Sequence, residues 1–199
     1  DIAAKSTLTI EQIAHAVCRG GWPAAVISGK QSPRIAMNYV DAVINLDVQR
    51  VDGVEKDPER VRLLLQSLAR NISTQATSKT IMDDMQVNEA SITDKTLSSY
   101  LNALRRLFVV EDVPAWQPSL RSKTAIRTAN KRQFVDPSLA TAALRTNATG
   151  IIRDFKTFGF LFESLYTRDL RIYSQANDGV VFHYRDKSEL ESDLIIKLN

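Results

Sequence analysis

With 199 residues, of which 44% are apolar and 25% charged, the chain can bury a sizeable core and lacks the low hydrophobicity of a disordered segment. No apolar run reaches the roughly 18 to 20 residues that span a bilayer, and Asp1 to Thr9 lacks the basic-then-apolar pattern of a signal peptide. Cys18 is the single cysteine, which excludes an intrachain disulfide and a cysteine-rich zinc site and fits a reducing cytoplasm, while a net charge of +3 is too mild to mark a dedicated nucleic-acid binder.

Along the chain, Thr9 and Gln12 form a capping box ahead of the stripe Ile10, Ile13, Ala14 and Val17, so a short helix runs to Gly20-Gly21. Gly20-Gly21-Trp22-Pro23 then reads as a turn. Gly29-Lys30 is not a phosphate loop. Ala24 stands where that motif needs its first glycine and Gln31 where it needs Ser or Thr, so the backbone cannot cradle phosphate and magnesium lacks its hydroxyl ligand.

Ile35, Tyr39, Val43, Ile44 and Val48 predict an amphipathic helix from Pro33 to about Val51. Asp57-Pro58 opens another through Val61, Leu64, Leu65 and Leu68. Ser78 to Val87 reads as a third, and Thr93 caps a fourth whose buried stripe is Leu97, Tyr100, Leu101, Leu104 and Leu107. A β-branched strand from Phe108 to Val113 follows, completing the outline of a winged helix-turn-helix. The solvent side of its second helix would offer Arg105 and Arg106, among other polar groups, to DNA or to a protein partner.

Arg121, Lys123, Arg127, Lys131 and Arg132 follow with no acid between them, as a solvated face, a structural anion site or a nucleic-acid contact. Gln133 to Val135 reads as a strand, Leu139 to Leu144 as a helix and Phe155 to about Ala176 as a longer helix despite Gly159. Val180 to Tyr184 and Leu190 to Leu198 make a hairpin. His183 and His15 have no partners at ligand spacing and are read as structural. The fold class expected is mainly α with a small β component.

Gly20-Gly21-Trp22-Pro23, Ser67-Leu68-Ala69-Arg70-Asn71, Phe134-Val135-Asp136-Pro137-Ser138-Leu139-Ala140, Phe160-Leu161-Phe162-Glu163 and His183-Tyr184-Arg185-Asp186 occur in that order. Together they resemble the region that follows the nucleotide-binding module in bacterial and archaeal AAA-type ATPases, a C-terminal domain of unknown function. The resemblance implies a helical region over residues 1–75 following an ATPase lid, a winged helix-turn-helix-like module over 76–120 and a truncated PD-(D/E)XK nuclease-like part over 121–199. It also implies that ATP hydrolysis belongs to residues outside this chain.

In the nuclease-like fold a helix supplies one carboxylate and a β-meander an aspartate and then Glu-x-Lys. Glu163 matches the helical acid and Asp193 the strand aspartate, so these are the catalytic and metal-ligating candidates, for Mg2+ in the parent protein. The Glu-x-Lys strand would lie beyond Asn199, and Lys197 does not replace it. Two carboxylates without that strand hold a divalent ion weakly. Otherwise Glu163 bridges within the fold and Asp193 is an ordinary strand acid. The expectation is thus a chain with no catalysis and no cofactor of its own, a regulatory or partner-recognition arm of an ATPase core. A metal-dependent nuclease and a DNA-binding module are the alternatives. The oligomeric state is not legible.

Overall fold

A computed structural model describes residues 5–28, 33–51, 53–86, 92–116, 129–186 and 190–198. Gly29-Lys30-Gln31 and the cations Arg121, Lys123 and Arg127 lie outside them. The fold is mainly α with a small β component: among the described residues, helices α1 to α10 and two two-stranded antiparallel sheets. No described helix is long and apolar enough to cross a membrane.

Helix α1 (Ile10–Arg19) begins at the expected capping box, with the Thr9 side chain accepting from the Gln12 backbone and the Gln12 side chain from that of Thr9. It stops at Gly20, whose φ of 74° and ψ of −179° are open almost only to glycine. Pro23 does more than end a turn, because a proline that cannot continue a helix can begin one, and it starts the short α2 (Pro23–Ile27).

The helix expected from 33 to 51 is interrupted. It comprises α3 (Arg34–Ala42), a π turn (Val43–Asp47) and α4 (Val48–Arg50). Residues five apart do not share a face at 3.6 residues per turn, but the wider turn, closed by a bond from the Val48 N–H to the Val43 carbonyl, lets Val43 and Val48 both bury.

Helix α5 (Pro58–Arg70) is capped by Asp57, α6 spans Ser78–Gln86, and α7 (Asp94–Arg106) is capped by Thr93. Strand β1 (Val110–Val113) pairs antiparallel with β2 (Lys131–Phe134), with Val110 opposite Phe134 and Val113 opposite Lys131. The second strand begins earlier than its apolar residues announce, because its bounds follow β1. Helix α8 (Pro137–Ala143) and the unanticipated α9 (Ala148–Arg153), capped by Asn147, lead into α10 (Phe155–Gln175). Strands β3 (Val180–Arg185) and β4 (Glu191–Lys197) close the chain as a hairpin with an irregularity between Phe182 and Tyr184. The sheets are joined, since the His183 N–H donates to the Pro114 carbonyl and the Trp116 N–H to the His183 carbonyl.

One hydrophobic cluster, from Ala14 through Leu64, Leu104 and Leu139 to Leu161, crosses both expected boundaries near residues 75 and 120. At its centre α8 is buried on every side and packs against α1, α3, α5 and α10. Its small residues, Ala140, Ala142 and Ala143, let four helices close on one.

Candidate functional site

The Phe134-Val135-Asp136-Pro137-Ser138 and Gly20-Gly21-Trp22-Pro23 segments meet. Asp136 caps α8 by accepting from the Ser138 N–H at 2.9 Å, and its other oxygen accepts from the Gly21 N–H at 2.9 Å and from Arg168 of α10 at 2.7 Å. Trp22 Nε1 donates to Ser138 Oγ at 2.9 Å. A Cβ on Gly20 would lie 2.4 Å from Ser138 Oγ. Each donor is matched by an acceptor, so the arrangement is a clasp between distant parts of the chain rather than a reactive centre.

The second constellation contains the two acids singled out from sequence. Glu163 sits on α10 and Asp193 on β4, and both reach Lys131 at the start of β2. Lys131 Nζ lies 2.8 Å from Glu163 Oε1 and 2.8 Å from Asp193 Oδ1, with Glu191 farther at 3.7 Å. Tyr166 donates its hydroxyl to Asp193 Oδ2 at 3.3 Å. The Lys131 side chain is 5% exposed, that of Glu163 12% and that of Asp193 52%, so one edge of the cluster is open to water.

Burial pushes the Lys131 ammonium towards deprotonation, but the hydrogen bonds and charges of Asp193 and Glu163 outweigh it and hold the ammonium above its ordinary range. Burial raises the Glu163 carboxyl, and Asp193 and Glu191 push the same way against Lys131. Burial, helped by Glu163 and Asp193, raises the Tyr166 phenol. Close by, His183 is fully buried, its Nε2 3.1 Å from the Ala129 carbonyl and its Nδ1 3.4 Å from Gln75 Nε2. Burial first, and then Lys131, lowers its titration.

Of the cations assigned to nucleic acid, Lys131 is buried, which corrects its place among surface contacts: its ammonium is committed to two carboxylates. Arg132 and Arg105 both pair with Asp112, at 3.1 and 2.8 Å. Arg106 is exposed. Among the described residues no group of three or more His, Cys, Asp or Glu side chains could hold a metal ion. Sequence reasoning missed the role of Lys131, because nothing in a run of cations distinguishes the one that turns inward. It also missed Arg168, which carries no signal of the acid it meets.

No curated protein matches the chain, and no solved structure does. A family model described as a domain of unknown function (DUF8612) matches residues 10–150, a span that holds Lys131 and the clasp residues Gly21, Asp136 and Ser138 but not Glu163, Arg168 or Asp193. The chain therefore belongs to the DUF8612 family of domains of unknown function.

Proposed function

We propose that this chain is a non-catalytic arm of an AAA-type ATPase, serving to regulate the ATPase core or to engage a partner. The observation that carries the reading is the Lys131 bridge. A buried ammonium bonded to both Glu163 and Asp193 already supplies the countercharge that a divalent ion would bring, and it ties β2 to α10 and β4. An ion entering there would have to displace it. The link to an ATPase rests on the ordered motifs from Gly20-Gly21-Trp22-Pro23 to His183-Tyr184-Arg185-Asp186. With Lys131, Arg105 and Arg132 engaged by acids of the fold, protein docking is a better use of the surface than DNA contact.

The test is direct. Calorimetry with ATP gives no binding heat, and plasmid DNA incubated with the chain and Mg2+ or Mn2+ stays intact; micromolar ATP binding overturns the reading. A second reading draws on the same convergence, since an acid from a helix, an acid from a strand and a lysine are the residue types of a PD-(D/E)XK-like centre, with Lys131 arriving from an earlier strand than the family pattern. Plasmid nicking by the full-length protein that Glu163→Ala abolishes would favour it over the first.

A further inference from the structure

A cavity of about 250 Å3 opens between α3 with its π turn, α5 and the end of α8. Its floor is apolar, made by the buried Val40, Ile44 and Leu65 with Ala142. Its lining also brings together Arg62, Arg145 and Asp41. This is smaller than the roughly 300 to 1,000 Å3 of pockets that take drug-sized molecules, so the occupant is a small one.

Two backbone irregularities converge on the cavity. The π turn carries Ile44 into the floor, and such turns recur at functional sites. Arg145 follows the C-cap of α8 with φ of 51°, a left-handed position that ordinarily falls to glycine. An arginine there costs stability that no ion pair offsets among the described residues. Arg62 uses its Nε on Glu59 Oε2 at 3.3 Å, which leaves its terminal nitrogens. Two guanidinium groups on one lining match a carboxylate, the acid on the same lining matches an ammonium, and the floor matches a branched aliphatic group.

We infer that this cavity binds a free aliphatic α-amino acid, its carboxylate held by Arg62 and Arg145, its ammonium by Asp41 and its side chain on Val40, Ile44, Leu65 and Ala142. The site is independent of the acid–lysine cluster and of the proposed regulatory role.

L-leucine is the probe, with isocaproate lacking the ammonium and isoamylamine lacking the carboxylate as comparisons, all read by calorimetry and thermal melting of the full chain. Leucine raises the melting temperature by mass action, and each truncated analogue binds at least about tenfold more weakly. Arg145→Gly relaxes the left-handed backbone, so the unliganded variant melts no lower than the wild type, yet its affinity for leucine drops about tenfold or more. Asp41→Asn weakens leucine and leaves isocaproate unchanged. No leucine heat up to about 20 mM, wild-type affinity in Arg145→Gly, or isocaproate binding as tightly as leucine would each overturn the assignment.

Discussion

Lys131 and His183 are adjacent buried bases whose titrations move apart, and the reason is their company. Burial pushes both towards losing the proton; Lys131 faces two carboxylates that outweigh it and keeps its proton, whereas for His183 burial, aided by the Lys131 charge, outweighs the Ala129 carbonyl and the proton is shed. Lys131→Met strands Glu163, almost fully buried, beside two other acids, and urea unfolding at neutral pH should show a loss of about 3 kcal/mol, the low end for a broken buried pair because Asp193 is half in water. Adding Glu163→Gln removes the stranded charge and returns most of that loss. For His183 the folded-state titration lies below the unfolded value of 6.5, so the unfolded chain takes up a proton first as pH falls. Its contribution is full above about pH 6.5 and is lost as pH drops through the lower folded value, with a slope limited to about 1.4 kcal/mol per pH unit. Denaturant midpoints between about pH 7.5 and 5 should show that slope in the wild type and a shallower one in His183→Gln. Sequence named Glu163 and Asp193 because an acid following Phe162 and an acid within a strand resemble the nuclease-like pattern of residue types. It did not name their lysine, since neutralisation at a distance of 32 residues leaves no periodic trace.

Two glycines show how differently one residue type serves two elements. At Gly20 the backbone is in a region closed to side chains and a Cβ would strike Ser138, Asp136 and Trp22. At Gly159, in the middle of α10, a Cβ would meet nothing within 4 Å. Gly20→Ala should therefore destabilise by about 2 kcal/mol or more, and Gly159→Ala should stabilise by about 1 kcal/mol, both measured by thermal and urea unfolding. Caps and periodicity made most helices legible: Thr9 with Gln12, Asp57 with Pro58 and Thr93 each begin a helix where the residues say. The elements that escaped are those set by tertiary partners. The π turn exists because Val43 and Val48 must share a face, α9 is too short for a period, and β2 takes its limits from β1.

At the scale of the molecule, the helices of the first third cover α8 from the last third, so the core is shared rather than divided. Trp22 packs in the clasp and Trp116 at the junction of the two sheets, which gives a natural probe at each place. Unfolding followed by circular dichroism and by the fluorescence of Trp22→Phe and Trp116→Phe variants should give one midpoint per variant by both methods; separate midpoints would show units that melt apart. The clasp also orders events in time. Gly21 waits for an acid 115 residues later, and α1 has α8, α9 and α10 as its principal packing partners. On a ribosome adding roughly 5–20 residues per second, the apolar face of Ala14, Val17 and Cys18 stays uncovered for on the order of ten seconds. A helix made well before its partners is one of the last to be sheltered, so a nascent chain halted before Asp136 leaves α1 as a segment for chaperones to hold.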